Sequence, residues 1–100
     1  MRFEWDEAKR LANVEKHGLD FSDAPELFTG QMAIALDARL NYGEERFIGF
    51  GLCKQRVLAV VFTRKEPDII RLISLRKANR REQKRYEQAI ANRLGQSRFP

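Results

Sequence analysis

Three runs decide the fold: Arg46-Phe-Ile-Gly-Phe-Gly-Leu52, Val57-Leu-Ala-Val-Val-Phe62 and Ile69-Ile-Arg-Leu-Ile-Ser-Leu75. Each is short, rich in β-branched or aromatic residues and bounded by turn-formers, which is how strands read. Val57 to Phe62 is apolar at every position and predicts a central strand covered on both faces. The third run follows the breaker Arg64-Lys-Glu-Pro-Asp68, and connections this brief favour antiparallel neighbours. Gly49 and Gly51 fall on one face of their strand and leave room for a close approach by a helix or a ligand backbone. Just upstream, Met32-Ala-Ile-Ala-Leu36 supplies a fourth strand.

Helical signals flank these strands. Asp6 is a good N-cap for a helix carrying Ala8, Leu11, Ala12 and Glu15, stopped by Lys16-His-Gly18. Phe3 and Trp5 read as packing anchors for it. Asp20 or Ser22 caps a second, shorter helix through Ala24, Leu27 and Phe28, with Phe21 stapling the entry, Pro25 in the first turn and Gly30 at the end. Beyond the strands, Asn79 and Glu82 have the spacing of a capping box. The helix they open has Tyr86, Ala89, Ile90, Arg93 and Leu94 along one side, Arg80, Arg81, Lys84 and Arg85 mostly on the other, and Gly95 to close it. The predicted class is α+β: two N-terminal helices, a four-stranded antiparallel sheet and a C-terminal amphipathic helix, in a single domain over residues 1–100.

Composition narrows the function. No apolar run reaches the roughly 20 residues of a membrane span, and acidic residues stand where a secretory signal would need its apolar core, so a cytoplasmic protein is expected. A lone Cys53 and a single histidine give neither an internal disulfide nor a Cys/His metal constellation, so no metal and no cofactor are expected. The net charge of +5 is unevenly placed: residues 1–70 carry 10 basic and 12 acidic side chains, residues 71–100 carry 9 and 2. The tract from Arg71 to Arg85 is therefore where phosphates or an acidic partner would be met, or else a solvated helix face.

Ordered motifs along the chain resemble one family. Phe3-Glu-Trp-Asp6, Lys9, Asn13, Lys16-His-Gly18, Phe21, Ala24 and Phe28 are followed by Glu45-Arg46, Gly51, Val60-Val61, Thr63-Arg64, Arg71, Ile73-Ser74, Arg76-Lys-Ala78, Arg81-Glu82 and Tyr86. With these motifs the chain resembles BrnT, the toxin half of a type II toxin–antitoxin module, up to about Glu87. Leu75 and Asn79 depart from it, standing where alanine and threonine are common. The resemblance implies a RelE-like fold and metal-independent RNA cleavage that inhibits growth and translation. It also implies neutralisation by a BrnA-like ribbon-helix-helix antitoxin, with operator DNA contacted only through the toxin–antitoxin complex.

Metal-free RNA cleavage needs a base for the 2′-hydroxyl, cations for the phosphorane and an acid for the leaving oxygen. Arg46, Arg64 and Arg76, at strand edges or ends, are the candidate clamps, because a guanidinium pairs bidentately with phosphate and stays charged. Lys77 is a clamp or a base, Glu45 the competing base, and His17 a proton donor or acceptor. Arg80, Arg81, Lys84, Arg85 and Tyr86 are the candidate RNA-binding residues. Each has a structural counterpart: His17 as a helix C-cap, Glu45 and Arg46 as a surface ion pair, Tyr86 as core, Glu82 as a cap. The alternatives to a ribonuclease are a non-catalytic basic module binding nucleic acid, or one docking an acidic protein.

Overall fold

The computed structural model describes residues 1–38 and 43–98, and for 94–98 the backbone only, so the expected stripe residue Leu94 lies outside the described side chains. A five-stranded mixed sheet in the order β1-β5-β4-β3-β2 is built from β1 (Arg2–Trp5), β2 (Ala33–Leu36), β3 (Phe47–Cys53), β4 (Arg56–Glu66) and β5 (Ile69–Lys77). Helix α1 spans Glu7–His17, α2 spans Pro25–Thr29 and α3 spans Arg80–Arg98.

The four-stranded antiparallel expectation is corrected by β1, which pairs parallel to β5 from Arg2 opposite Ile69 to Trp5 opposite Leu72. Arg-Phe-Glu-Trp alternates polar and apolar, but four residues are too few for the period to stand out, and the partner lies 67 positions away. Phe3 and Trp5 are thus strand residues, packing on Phe28 at 5.1 Å and on Phe21 at 6.2 Å between ring centroids. Strands β4 and β5 also run longer than expected. Thr63 to Glu66 belongs to β4, so only Pro67-Asp68 breaks the chain, and Arg76 and Lys77 lie inside β5 rather than after it.

Asp6 caps α1 as expected, accepting from the Lys9 amide at 3.2 Å, and Gly18 ends it at φ 69°. Its packing is unexpected, because Leu11 is 56% exposed and the buried residue is Asn13. Asn13 Oδ1 accepts from the Leu75 amide at 3.0 Å, and its Nδ2 donates to the carbonyls of Leu75 at 2.8 Å and Leu19 at 2.9 Å. A side-chain amide thereby completes the edge of β5 where β1 has ended.

The expected second helix is split into a 3₁₀ turn at Phe21–Asp23 and the five-residue α2. Pro25 has no amide hydrogen, so the ladder stops there and restarts, and Asp20 caps only the first piece through Ser22. Phe21, fully buried, belongs to the core rather than to a staple. Gly51 meets a close approach by this segment, since a Cβ there would sit 3.3 Å from the Leu27 carbonyl oxygen. The β3–β4 hairpin turns on Lys54 and Gln55, both at positive φ, and the Lys54 amide is held by Glu26 Oε2 at 2.9 Å.

Core residues Leu19, Phe21, Ala24 and Leu27 pack beneath Leu58, Val60, Phe62, Ile70, Leu72 and Leu75, so β4 is central as its run implied. The capping box forms in both directions at 2.8 Å between Asn79 and Glu82. Helix α3 does not stop at Gly95, because an interior glycine weakens a helix by only about 1 kcal/mol and ends one only when the chain needs a left-handed turn there.

Asn13→Leu should lower unfolding free energy by about 3 kcal/mol, since it strands one amide and two carbonyls. Leu11→Ala should stay within about 0.5 kcal/mol, and equal effects in urea titrations would refute the assignment. Asp20 is held below the usual carboxylate range by the backbone bond from Ser22, with Arg10 adding to it. Its contribution is present at neutral pH and lost as pH falls below that range, so Asp20→Asn should flatten the acid limb of the stability profile.

Candidate functional site

Strand alternation, with the bulge between Leu72 and Ser74, sends Leu58, Val60, Phe62, Ile70, Leu72 and Leu75 toward α1 and α2, and Ala59, Val61, Thr63, Arg71, Ser74 and Arg76 to the opposite face. On that opposite face Thr63 pairs with Arg71, which pairs with Glu4. Arg46 precedes Phe47, the partner of Phe62, so it lies on the other side of Thr63, and its carbonyl accepts from the amide of the buried Asp37 at 2.7 Å. A polar row Asp37, Arg46, Thr63, Arg71, Glu4 therefore crosses the sheet. Farther along the same face, Ala59 pairs with Arg76.

Two ion pairs along the row are long. Arg46 Nε lies 3.6 Å from Glu44 and Arg71 Nη1 3.7 Å from Glu4, longer than hydrogen-bonded ion pairs. Thr63 is only 4% exposed, and its hydroxyl has no hydrogen-bond partner among the described residues. At this end of the sheet opens a cleft of about 680 Å³ whose lining includes Glu44, Glu45, Thr63, Arg64, Lys65 and Glu66. Glu45 and Arg64, two of the expected catalytic residues, line it, and Arg46 adjoins Glu45 in the chain but starts on the opposite face of the sheet from Arg64, the partner of Ile70.

The other three do not join them. Lys77 pairs with Leu58, and from 58 to 64 along β4 is roughly 20 Å, so Lys77 and Arg64 stand at opposite ends of the sheet. Lys77 lines a separate groove of about 420 Å³ with Leu52, Arg56, Gln83, Tyr86 and Glu87. Arg76 donates from both terminal nitrogens to Glu82, at 2.8 and 2.9 Å, which ties β5 to the first turn of α3. Two cations at the end of β5 had no evident structural purpose in the sequence, and the structure supplies one for Arg76. His17 sits in the last turn of α1, close to Lys16, Ile73 and Ser74 and apart from the cleft.

Of the expected RNA-binding residues, Arg80, Arg81, Lys84 and Arg85 are exposed on α3, and the first three border one shallow depression. Tyr86 is 6% exposed and donates its hydroxyl to the Gln31 carbonyl at 2.9 Å, so it anchors α3 to the lead-in of β2 and turns no ring face outward for stacking. Arg93 reaches the Met32 carbonyl at 2.7 Å beside it. Cys53 is buried, and loss of hydration pushes its thiol up, away from nucleophilic thiolate. The sequence reading did not single out Thr63 as a site residue, and Arg71 entered it only as a motif residue and the start of the basic tract. The available signal was an arginine inside an otherwise apolar strand.

Fold and site define a small α+β protein that arrays arginines across one sheet face and a basic helix beside it. A family model described as the ribonuclease toxin BrnT of type II toxin–antitoxin systems matches residues 5–82, and the chain belongs to this family. It is similar to the 1.1 Å crystal structure of the Brucella abortus ribonuclease toxin BrnT, with 30% identity, a TM-score of 0.62, and coverage of 80% of this chain and 99% of that one. No curated protein sequence matches the chain. It is thus a type II toxin of the ribonuclease class, the kind of protein that has an antitoxin partner and an RNA target.

Arg76→Ala and Glu82→Gln, combined in a double-mutant cycle of thermal or urea unfolding, should show a coupling of about 1 kcal/mol. Additive effects would show that the pair does not hold α3 to the sheet.

Proposed function

We propose that this chain is a metal-independent endoribonuclease whose reaction takes place in the cleft between the start of β3 and the end of β4, in a RelE-like fold. The observation that supports the reading is one cleft lined by Glu45, Arg64 and Lys65, with Arg46 next to Glu45 in the chain. Glu45 takes the proton of the RNA 2′-hydroxyl, and the oxygen attacks the adjacent phosphorus. Arg64 and Arg46 stabilise the extra negative charge of the phosphorane, for which their planar forks suit them better than lysine would. Lys65 supplies the proton to the departing 5′-oxygen, leaving a 2′,3′-cyclic phosphate. Arg80, Arg81, Lys84 and Arg85 hold the RNA backbone outside the reacting centre, through attraction that releases counterions.

RNA cleavage by this route inhibits growth and translation. The proposed restraint is a BrnA-like ribbon-helix-helix antitoxin that covers these cations, with operator DNA bound only by the joint complex. A second reading, a non-catalytic basic module, is favoured by one observation: the exposed α3 cations lie apart from the cleft. The two readings separate by mutation, since charge reversal on α3 acts on affinity and its salt dependence, while changes in the cleft act on turnover.

Purified protein should cleave single-stranded RNA in EDTA to products ending in 2′,3′-cyclic phosphate. Glu45→Gln and Arg64→Ala should each reduce single-turnover cleavage about 100-fold or more. RNA left intact at excess enzyme would sink the ribonuclease reading.

A further inference from the structure

We infer that Thr63, together with Arg46 and Arg71 on either side of it, forms a phosphate-binding subsite for the RNA backbone, an inference that rests on the ribonuclease reading. The observation is the Thr63 hydroxyl, 4% exposed and without a hydrogen-bond partner among the described residues. A buried hydroxyl left unpaired is destabilising, and valine would fill nearly the same volume without that penalty. Threonine at this position therefore suggests a ligand that the hydroxyl is kept to meet.

Its surroundings identify the chemistry. Arg71 is its cross-strand neighbour on β5, and Arg46 flanks it on the β3 side. Both arginine side chains keep partial exposure, 21% for Arg46 and 36% for Arg71. The ion pair of Arg71 with Glu4, at 3.7 Å, is loose enough to exchange for an anion. A phosphate seated over Thr63 would accept one bond from the hydroxyl and further bonds from two guanidinium groups, a set of donors with tetrahedral reach. Thr63 also borders the cleft that holds Glu45 and Arg64, so the subsite is continuous with the reacting centre. It would take a backbone phosphate beside the scissile one, with Arg46 between the two phosphates, and so fix where the 2′-hydroxyl lies relative to Glu45.

The test compares Thr63→Val, Thr63→Ser and Arg71→Gln with the wild-type protein, using a 2′-O-methyl oligoribonucleotide that cannot be cleaved and, separately, inorganic phosphate. Thr63→Val should unfold at a higher temperature than wild type, because it removes the unpaired hydroxyl. It should also bind the oligonucleotide about tenfold more weakly and lose thermal protection by phosphate. Thr63→Ser should retain both kinds of binding. Arg71→Gln should weaken both and serves as the deciding variant if the valine protein fails to fold. Oligonucleotide affinity unchanged in Thr63→Val, or in Arg71→Gln where that variant decides, overturns the subsite even if the wild type cleaves RNA. Thr63-dependent binding without cleavage by the wild type upholds the subsite and overturns the ribonuclease reading instead.

Discussion

The position of β5, and with it the arginine-bearing face, depends on the side-chain amide of Asn13. Strand β1 pairs with β5 only as far as Leu72, after which the edge of β5 would expose unpaired backbone. Asn13 presents one acceptor and one donor to the amide and carbonyl of Leu75, the same exchange that a neighbouring strand residue would make. Its second amide hydrogen binds the Leu19 carbonyl, so the turn after α1 is fixed by the same group. An aspartate offers no donor and a leucine offers nothing, which makes the residue type a requirement of the geometry.

Parity along β5 then determines which side chains share a face. Arg71 and Arg76 are five positions apart, and in a regular strand they would point to opposite sides of the sheet. The register shift between Val61 and Phe62 leaves Ile73 without a partner, so Ser74 faces Val61, and Arg76 rejoins the face of Arg71. One bulge thus converts two arginines on opposite surfaces into members of one surface. Glu82 then engages Arg76 and draws the N-terminus of α3 onto that side.

The cations fall into groups with different physical situations. Arg46 and Arg71 flank a buried hydroxyl, Arg64 and Lys65 line an open cleft, Arg76 is held bidentately, and Arg80, Arg81, Lys84 and Arg85 project from a helix. Only the last group owes its arrangement to the local sequence. A basic tract that looks continuous in one dimension is divided in space because β5 ends within it, and a strand and a helix project successive residues differently.

The sequence alone determined what depends on neighbours in the chain. The caps at Asp6, Gly18 and the Asn79–Glu82 box, the apolar run of β4, the close approach at Gly51 and the burial of Tyr86 are all local patterns that the structure reproduces. Glu45 and Arg64 were named as candidates from the sequence, though not as residues lining one cleft. Tertiary structure decided the parallel pairing of β1, the role of Asn13, the bulge at Ile73, the Glu82 partner of Arg76 and the isolation of Lys77 and His17 from the cleft. These depend on contacts between residues distant in the chain or on strand register, except the Arg76–Glu82 pair, six positions apart, which depends on how the end of β5 meets the first turn of α3. Propensity and periodicity carry no information about which distant backbone a side chain will complete.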